Sequence, residues 1–302
     1  MHRIDGPGAT VDNKFTDGDP LGGIQATLVT DDWLNDVQEN VMAVLAAGSV
    51  TPTKGRAADL LDALKKVAAG RLLRTSVYTL VGGVQMVSVD GGAFTATGAS
   101  TFTPLALATK IVAEGVGGGG GSGGTSATSA SQWSATGGGS GATYGVGMYP
   151  APVSAVAVTI GQGGLAGTVA GNGGSGGSTS LGALLSVNGG IGTAGSAAFT
   201  GNNVIGGASP NKTVTGANLW SAIGGYGTYA VSLTQFIAGT GGGSIFGPGG
   251  VPALAFAPGS ASVGNAGQSP GAGAGGSSTA TSAAGQVGAK GGDGILIVRE
   301  YA

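Results

Sequence analysis

Between Glu114 and Lys290 the chain carries one charged side chain, Lys212, and over the same stretch glycine recurs in tracts, among them the unbroken run Gly117 to Gly121. A segment with so few side chains cannot bury an ordinary core. Whatever order it has must come from backbone hydrogen bonds between chains that approach closely because no Cβ holds them apart. Extended helices of the polyglycine II or polyproline II kind, with three residues per turn, satisfy that requirement. Collagen is excluded because no strict Gly-X-Y period is present. A flexible Gly/Ser linker is the competing reading. Apolar islands at Val153 to Ile160, Leu181 to Val187, Tyr229 to Ile237 and Val251 to Phe256 weigh against it. So does the closing run Gly294 to Tyr301, a strong strand signal after an Asp-Gly turn.

Composition narrows the functional classes. Of 302 residues, 67 are Gly and none is Cys, and the formal net charge is -2. Disulfides and thiolate metal sites are thereby excluded. No basic cluster offers an attraction for phosphate or anionic lipid, so neither nucleic acid nor a membrane is an expected partner. The first residues, Met1 to Gly8, lack the apolar stretch of a signal peptide. The expectation is a protein made in the cytoplasm and then assembled.

Four segments follow one another. Residues 1–30, rich in Asp, Asn, Gly and Pro around short apolar pieces, read as an extended arm. Residues 31–70 read as two short helices. The first begins at Asp31, carries Leu34, Val37, Val41 and Val44 at spacings of three and four, and stops at Gly48. The second follows Pro52 and Thr53 and buries Leu60, Leu61, Leu64 and Val67. Each stripe covers only about two heptads, too little for independent stability. An intramolecular hairpin and an intermolecular bundle both answer it, with Leu34, Val37, Val41, Val44, Leu60 and Leu64 as candidate association residues. Residues 71–114 switch to a period of two, in Ser76 to Val81 and Val84 to Val89, broken by Gly82-Gly83 and Asp90-Gly91-Gly92. Residues 115–302 form the glycine-rich distal part.

Chemistry-bearing motifs fall away one by one. Gly-x-Gly-x-x-Gly recurs, as it must in so much glycine, but never in a strand-to-helix unit followed by a ribose-binding acid. Gly206 to Thr213 approaches a phosphate loop, yet Asn211 stands where glycine is required. Glycoside hydrolysis needs paired carboxylates, and the distal part has none before Asp293 and Glu300. A Ser-His-Asp triad would have to use His2, the sole histidine. Asp31, Asp32, Asp36 and Glu39 are better explained as complements of a helix dipole than as a cation site. No enzyme activity and no cofactor is expected. What remains is a set of rings among Gly, Ser and Asn: Trp133, Tyr144, Tyr149, Trp220, Tyr226 and Tyr229. Such mixtures serve binding surfaces, although the same rings could cap the ends of strands.

Specific residues also match a known family. Met1 to Phe15, followed by Asp17-Gly18-Asp19-Pro20 and Thr30-Asp31-Asp32-Trp33-Leu34-Asn35, resembles the N-terminus of tail fibre proteins of tailed bacteriophages, particularly those of Pseudomonas. The distal part resembles the glycine-rich tip of many phage fibres in four places. These are the strand running into glycine at Thr109 to Gly121, the valine-rich strand at Val156 to Gly164, the turn at Leu185 to Gly190, and the Gly-Asp-Gly before the last strand. The resemblance implies a homotrimer in the virion tail, its N-terminal residues on the baseplate and its tip toward a bacterial receptor, whether glycan, pilus or outer-membrane protein. No long β-helical repeat of the depolymerase-bearing fibres is visible. The fold class expected is a mainly β, glycine-rich fibrous protein with a short helical segment. A structural fibre or collar protein that binds nothing specific, or a bacterial glycine-rich surface protein, are the other classes considered.

Overall fold

The computed structural model describes residues 2–68, 70–232 and 236–302. The chain is mainly β-sheet with two short helices, and it divides into two compact units, residues 1–71 with Ala302, and Leu72–Tyr301.

In the first unit, residues 2–30 fold back on themselves. Leu28 donates its N–H to the Pro7 carbonyl at 2.9 Å and Thr27 to Thr16 at 2.9 Å, while Ile4 is buried. Phe15 meets Trp33 edge-on at 5.2 Å between ring centroids. Helix α1 spans Asp31–Ala47, where the spacing placed it, with Thr30 Oγ1 capping the Trp33 N–H and Gly48 ending it. Helix α2 spans Asp59–Val67, starting later than Pro52 and Thr53 suggested. Gly55 adopts φ +84, outside helical geometry, and Asp59 is held by the Thr53 N–H at 2.6 Å and by Arg56 at 2.8 Å. The helices approach closely where an added Cβ on Gly48 would meet the Ala63 backbone at 2.6 Å. Leu45 and Ala63 are buried, whereas Leu34, Val41, Leu60, Leu61, Leu64 and Val67 stay exposed. The hairpin satisfies only part of the apolar stripe that the sequence displays.

The second unit begins with β1 (Leu72–Val81) and β2 (Val84–Val89), joined by Gly82 and Gly83 at φ +59 and +82, a turn that only glycine makes without strain. Then come β3 (Thr101–Phe102), β4 (Lys110–Val116), β5 (Ser134–Ala135), β6 (Tyr144–Pro150), β7 (Val156–Thr159), β8 (Thr179–Leu181) and β9 (Leu185–Val187). Short strands follow at β10 (Asn203–Ile205), β11 (Val214–Thr215), β12 (Trp220–Ala222), β13 (Ala230–Ser232), β14 (Phe236–Ile237), β15 (Ala261–Ser262) and β16 (Ser278–Thr279), and β17 (Ile295–Tyr301) is the last. The island Leu181 to Val187 is thus two strands around Gly182. Val251 to Phe256 forms no strand and contributes one bridge, Leu254 to Ile237. The middle of the Tyr229 to Ile237 island lies outside the described residues.

A six-stranded sheet, ordered β12-β6-β4-β17-β1-β2, faces a five-stranded one, ordered β11-β9-β8-β7-β3. Alternation decides what lies between them. Along β17, Leu296, Val298 and Glu300 are fully buried while Ile295, Ile297, Arg299 and Tyr301 are half exposed on the other face. Phe102, Ile111, Leu181, Leu185 and Val187 complete the core. Glu300 enters it as a partnered charge: it accepts from Arg74 Nε and, at 2.7 Å, from the Leu105 N–H.

The glycine tracts continue these strands. Residues 117–125 prolong β4, 136–143 lead into β6, 160–170 prolong β7, 171–178 lead into β8, 188–196 prolong β9, and 286–294 lead into β17. Two sheets that carry side chains stay about 10 Å apart. Where the side chains vanish, the layers close and the backbones bond to one another directly. Residues 117–125 form the centre. Gly118, Gly121 and Gly124 donate to Gly177, Gly174 and Gly171, and Gly119, Ser122 and Thr125 donate to Gly292, Ala289 and Gln286. Gly117 and Gly120 donate to Thr143 and Ser140. In the other direction, Gly190, Thr193 and Ser196 donate to the carbonyls of Gly118, Gly121 and Gly124, Gly164, Gly167 and Ala170 to those of Gly119, Ser122 and Thr125, and Ala274 to Gly120. Every partner register advances in threes, the repeat of a chain with about three residues per turn. Six segments surround the seventh.

Candidate functional site

That repeat of three decides which residues reach solvent. In Ile223 to Tyr229, an added Cβ on Gly224 or Gly227 would strike the backbone of Gly141 or Gly138, and Gly225 and Thr228 donate to Gly243 and Thr240. One direction is thus filled with backbone, and the second bonds a neighbouring segment while leaving Thr228 exposed. The third carries Ile223, Tyr226 and Tyr229, all exposed, in a row with roughly 9 Å between neighbours at the rise of about 3.1 Å per residue.

At the Ile223 end, the row meets the outer face of the six-stranded sheet. Trp220 on β12 pairs with Val146 on β6, and Ala222 with Tyr144. The Tyr144 ring lies 5.2 Å from the Trp220 ring and 6.2 Å from that of Phe246. Its hydroxyl donates to Glu114 Oε1 at 3.0 Å, and Glu114 Oε2 accepts from Arg299 at 2.9 Å. Burial, reinforced by the neighbouring carboxylate, pushes the Tyr144 hydroxyl up to about 12, so it stays a donor at any ordinary pH. Beside it opens a cleft of about 340 Å3, whose lining includes Ala142, Tyr144, Ala222, Ile223, Ser244 and Ile245.

The six rings singled out by sequence therefore separate. Trp220, Tyr226 and Tyr229 are exposed at 52%, 58% and 62%, whereas the reading of Tyr144 as a surface ring is corrected: it is buried because the rings of Trp220 and Phe246 pack against it. The reading of Tyr149 as a surface ring is corrected: it is buried, its hydroxyl donates to the Gly216 carbonyl at 2.9 Å, and its side chain lies across Gly147, which has no Cβ to obstruct it. Trp133 is half buried, packs on Ala255 and Ala280, and meets Phe199 edge-on at 6.3 Å, away from the row in sequence and in partners. Ile223, Ile245 and Phe246 were missed. The three-residue spacing of Ile223, Tyr226 and Tyr229 was the available signal for the row. The cleft had none, because its walls come from three segments, around residues 143, 223 and 244, that no local pattern joins.

Of the residues read as association candidates, Leu34, Val41, Leu60 and Leu64 are exposed in the first unit. Val37 and Val44 are half exposed there. Among the described residues, no group of three or more His, Asp or Glu is placed to hold a metal ion, and no helix is long and apolar enough to cross a membrane.

No protein-family model matches the chain. Over 77 residues it is 38% identical to the uncharacterized protein StfP of Escherichia coli (strain K12), an alignment covering 24% of this chain and 37% of that protein. The chain thus spans little more than a third of the relative's length.

Proposed function

We propose that this chain is the subunit of a homotrimeric bacteriophage tail fibre in the virion tail, attached to the baseplate through residues 1–30 and presenting its glycine-rich distal part to a receptor on the bacterial surface. The observation that carries the reading is the bundle centred on residues 117–125. Seven interlocked polyglycine II-like segments make a stiff body whose exterior is whatever stands at every third position and whose one ion pair, among the described residues, is Lys290–Asp293. Such a body presents side chains and offers no acid-base pair to a substrate; we read the protein as an adhesin without catalytic activity or cofactor. The partial likeness to StfP brings no activity of its own.

Trimerisation draws its support from the helices. Leu34, Val41, Leu60, Leu61, Leu64 and Val67 are too many exposed apolar side chains for a hairpin that ends in water. Closed symmetry would cover them in every subunit at once. Three tips per fibre would also multiply weak contacts by effective concentration. Light-scattering mass on the full chain tests the assembly. A trimer is expected, and Leu34→Glu combined with Leu64→Glu should lower the mass to that of a monomer while leaving the β-sheet signal of the second unit. A wild-type monomer at micromolar concentration would refute it.

A further inference from the structure

The two sheets of the second unit part at one corner. On β1, alternation puts Arg74, Ser76 and Tyr78 on the face that carries the core, and pairing sets Val89 beside Ser76 and Val87 beside Tyr78 on β2. Across from them runs the segment 97–103, which enters β3 at Thr101. A cleft of about 210 Å3 lies between, lined by these five side chains together with Thr97, Gly98, Thr101 and Thr103. Arg74 is clamped in its wall. Nε donates to the buried Glu300 and Nη2 to the Thr103 carbonyl at 2.6 Å, while the guanidinium carbon stands 5.8 Å from the centre of the Phe102 ring. Nη1 has no hydrogen-bond partner among the described residues. A guanidinium fixed on three sides is a preorganised donor, because the freedom it would lose on binding is already lost. The Tyr78 hydroxyl reaches the Thr101 carbonyl only at 3.5 Å. The hydroxyls of Thr97, Thr101 and Thr103, all on exposed residues, make no hydrogen bond to the described residues.

We propose that this cleft binds a single neutral sugar ring, its hydroxyls on Arg74 Nη1 and the three threonines and its carbon-bound hydrogens against Val87 and Val89. Every other class of ligand loses something here that a sugar keeps. An apolar side chain would cover Arg74 Nη1 and the threonine hydroxyls and return no hydrogen bond. A cation would face the guanidinium. An anion would have to share that guanidinium with Glu300, which is fully buried, and no second positive side chain is among the described lining residues to balance two carboxylates. A sugar hydroxyl both accepts and donates, so it takes a proton from Nη1 and serves the threonine oxygens without bringing charge. The volume lies below the roughly 300–1,000 Å3 of drug-sized sites and suits one ring rather than a chain of them. The cleft is built from the sheets and shares no residue with the row of Ile223, Tyr226 and Tyr229. It therefore stands apart from the reading of the glycine-rich part as a contact surface.

The test is calorimetric titration of the full chain with the methyl glycosides of glucose, galactose and mannose. Methyl glucuronide, which adds a carboxylate, and N-acetyl-leucinamide, which is apolar, are the comparison probes. Saturation by a neutral glycoside is expected, with both comparison probes weaker by about tenfold or more. Thr97→Phe, on the exposed rim, should fill the cleft and weaken the glycoside by about tenfold or more. Thr101→Val removes one hydroxyl at nearly constant size and should weaken it about fivefold. Arg74→Lys leaves a cation for Glu300 but removes Nη1, and should weaken it by about tenfold or more. Melting curves confirm folding, and if Arg74→Lys melts early the two threonine variants decide. Saturation by no neutral glycoside, tighter binding of the glucuronide or the amide, or undiminished binding to a folded Thr97→Phe would overturn the proposal. Wild-type chain that binds the glycoside yet binds no bacterial cell keeps this site and loses the receptor role.

Discussion

A β-carbon added to Gly120 would sit 2.0 Å from the carbonyl oxygen of Ile191, closer than two such atoms can approach. Gly120 also donates to Ser140 and accepts from Ala274, so no single neighbour can withdraw without breaking bonds elsewhere. Gly120→Ala is therefore expected to destabilise the second unit by about 3 kcal/mol or more, the upper range of overpacking. Gly139→Ala, aimed at the Gly120 carbonyl from 2.2 Å, should do the same. Gly206 has nothing within 4 Å of its added carbon, and Gly206→Ala should stay within about 0.5 kcal/mol of wild type. Thermal unfolding of the three variants decides it.

Glu300 is fully buried and joins three pieces of chain: its own strand, Arg74 on β1, and the Leu105 N–H of the loop before β4. Arg74 in turn donates to the Thr103 carbonyl at 2.6 Å. Removing one partner of a buried pair strands the other, at a cost of about 3–5 kcal/mol. Glu300→Ala should pay it in full. Glu300→Gln keeps an acceptor for Leu105 and should cost less. Chemical denaturation measures both, and equal losses would mean that the charge alone matters.

Tyr144 supplies a pH dependence. Its ionisation is pushed up from 10.0 to about 12, chiefly by burial and then by its hydrogen bond to Glu114. The folded state therefore holds the proton that the unfolded state releases near pH 10. The stabilisation is complete below about pH 10 and is lost as pH rises toward about 12. Burial raises Tyr78 and Tyr149 in the same direction. Tyr144→Phe should flatten part of the alkaline decline in melting temperature, leaving the share of the other two. An unchanged slope would show that Tyr144 ionises as freely in the folded chain as in the unfolded one.

Residues 2–30 contribute packing as well as any attachment. With Ile4 buried and Phe15 on the Trp33 ring, Phe15→Ala should lower the melting temperature of the helical unit while leaving the sheet unit unchanged. Separate near-ultraviolet and far-ultraviolet melts distinguish the two.

How far these features could be read from sequence followed the distance over which their causes act. Helix α1 was legible because Asp31, the spacing of Leu34, Val37, Val41 and Val44, and Gly48 are all local signals. So was the β1–β2 turn, which Gly82-Gly83 announces by itself. The start of α2 was not, since it depends on Asp59 reaching back to Thr53 and Arg56. The arrangement of the glycine tract was not legible. Ser122 bonds Ala289 and Gly119 bonds Gly292, partners about 170 residues away that no local pattern points to. Tyr149 was misread because its surroundings in sequence are glycine, while its surroundings in space are the core around Ile111 and Val158. The signal that could have placed it is Gly147, two residues back on the same face of β6.

The claim at the centre, that an uncharged glycine-framed surface contacts a bacterial receptor, is most directly tested by binding of the labelled full chain to intact cells of a panel of bacterial strains at low and high salt. Saturable binding to a subset of strains is expected, nearly unchanged by salt because there is little charge to screen, and reduced in Trp220→Ala, Tyr226→Ala and Tyr229→Ala variants that melt as wild type does. Binding to no strain, or binding that falls steeply with salt, would contradict it.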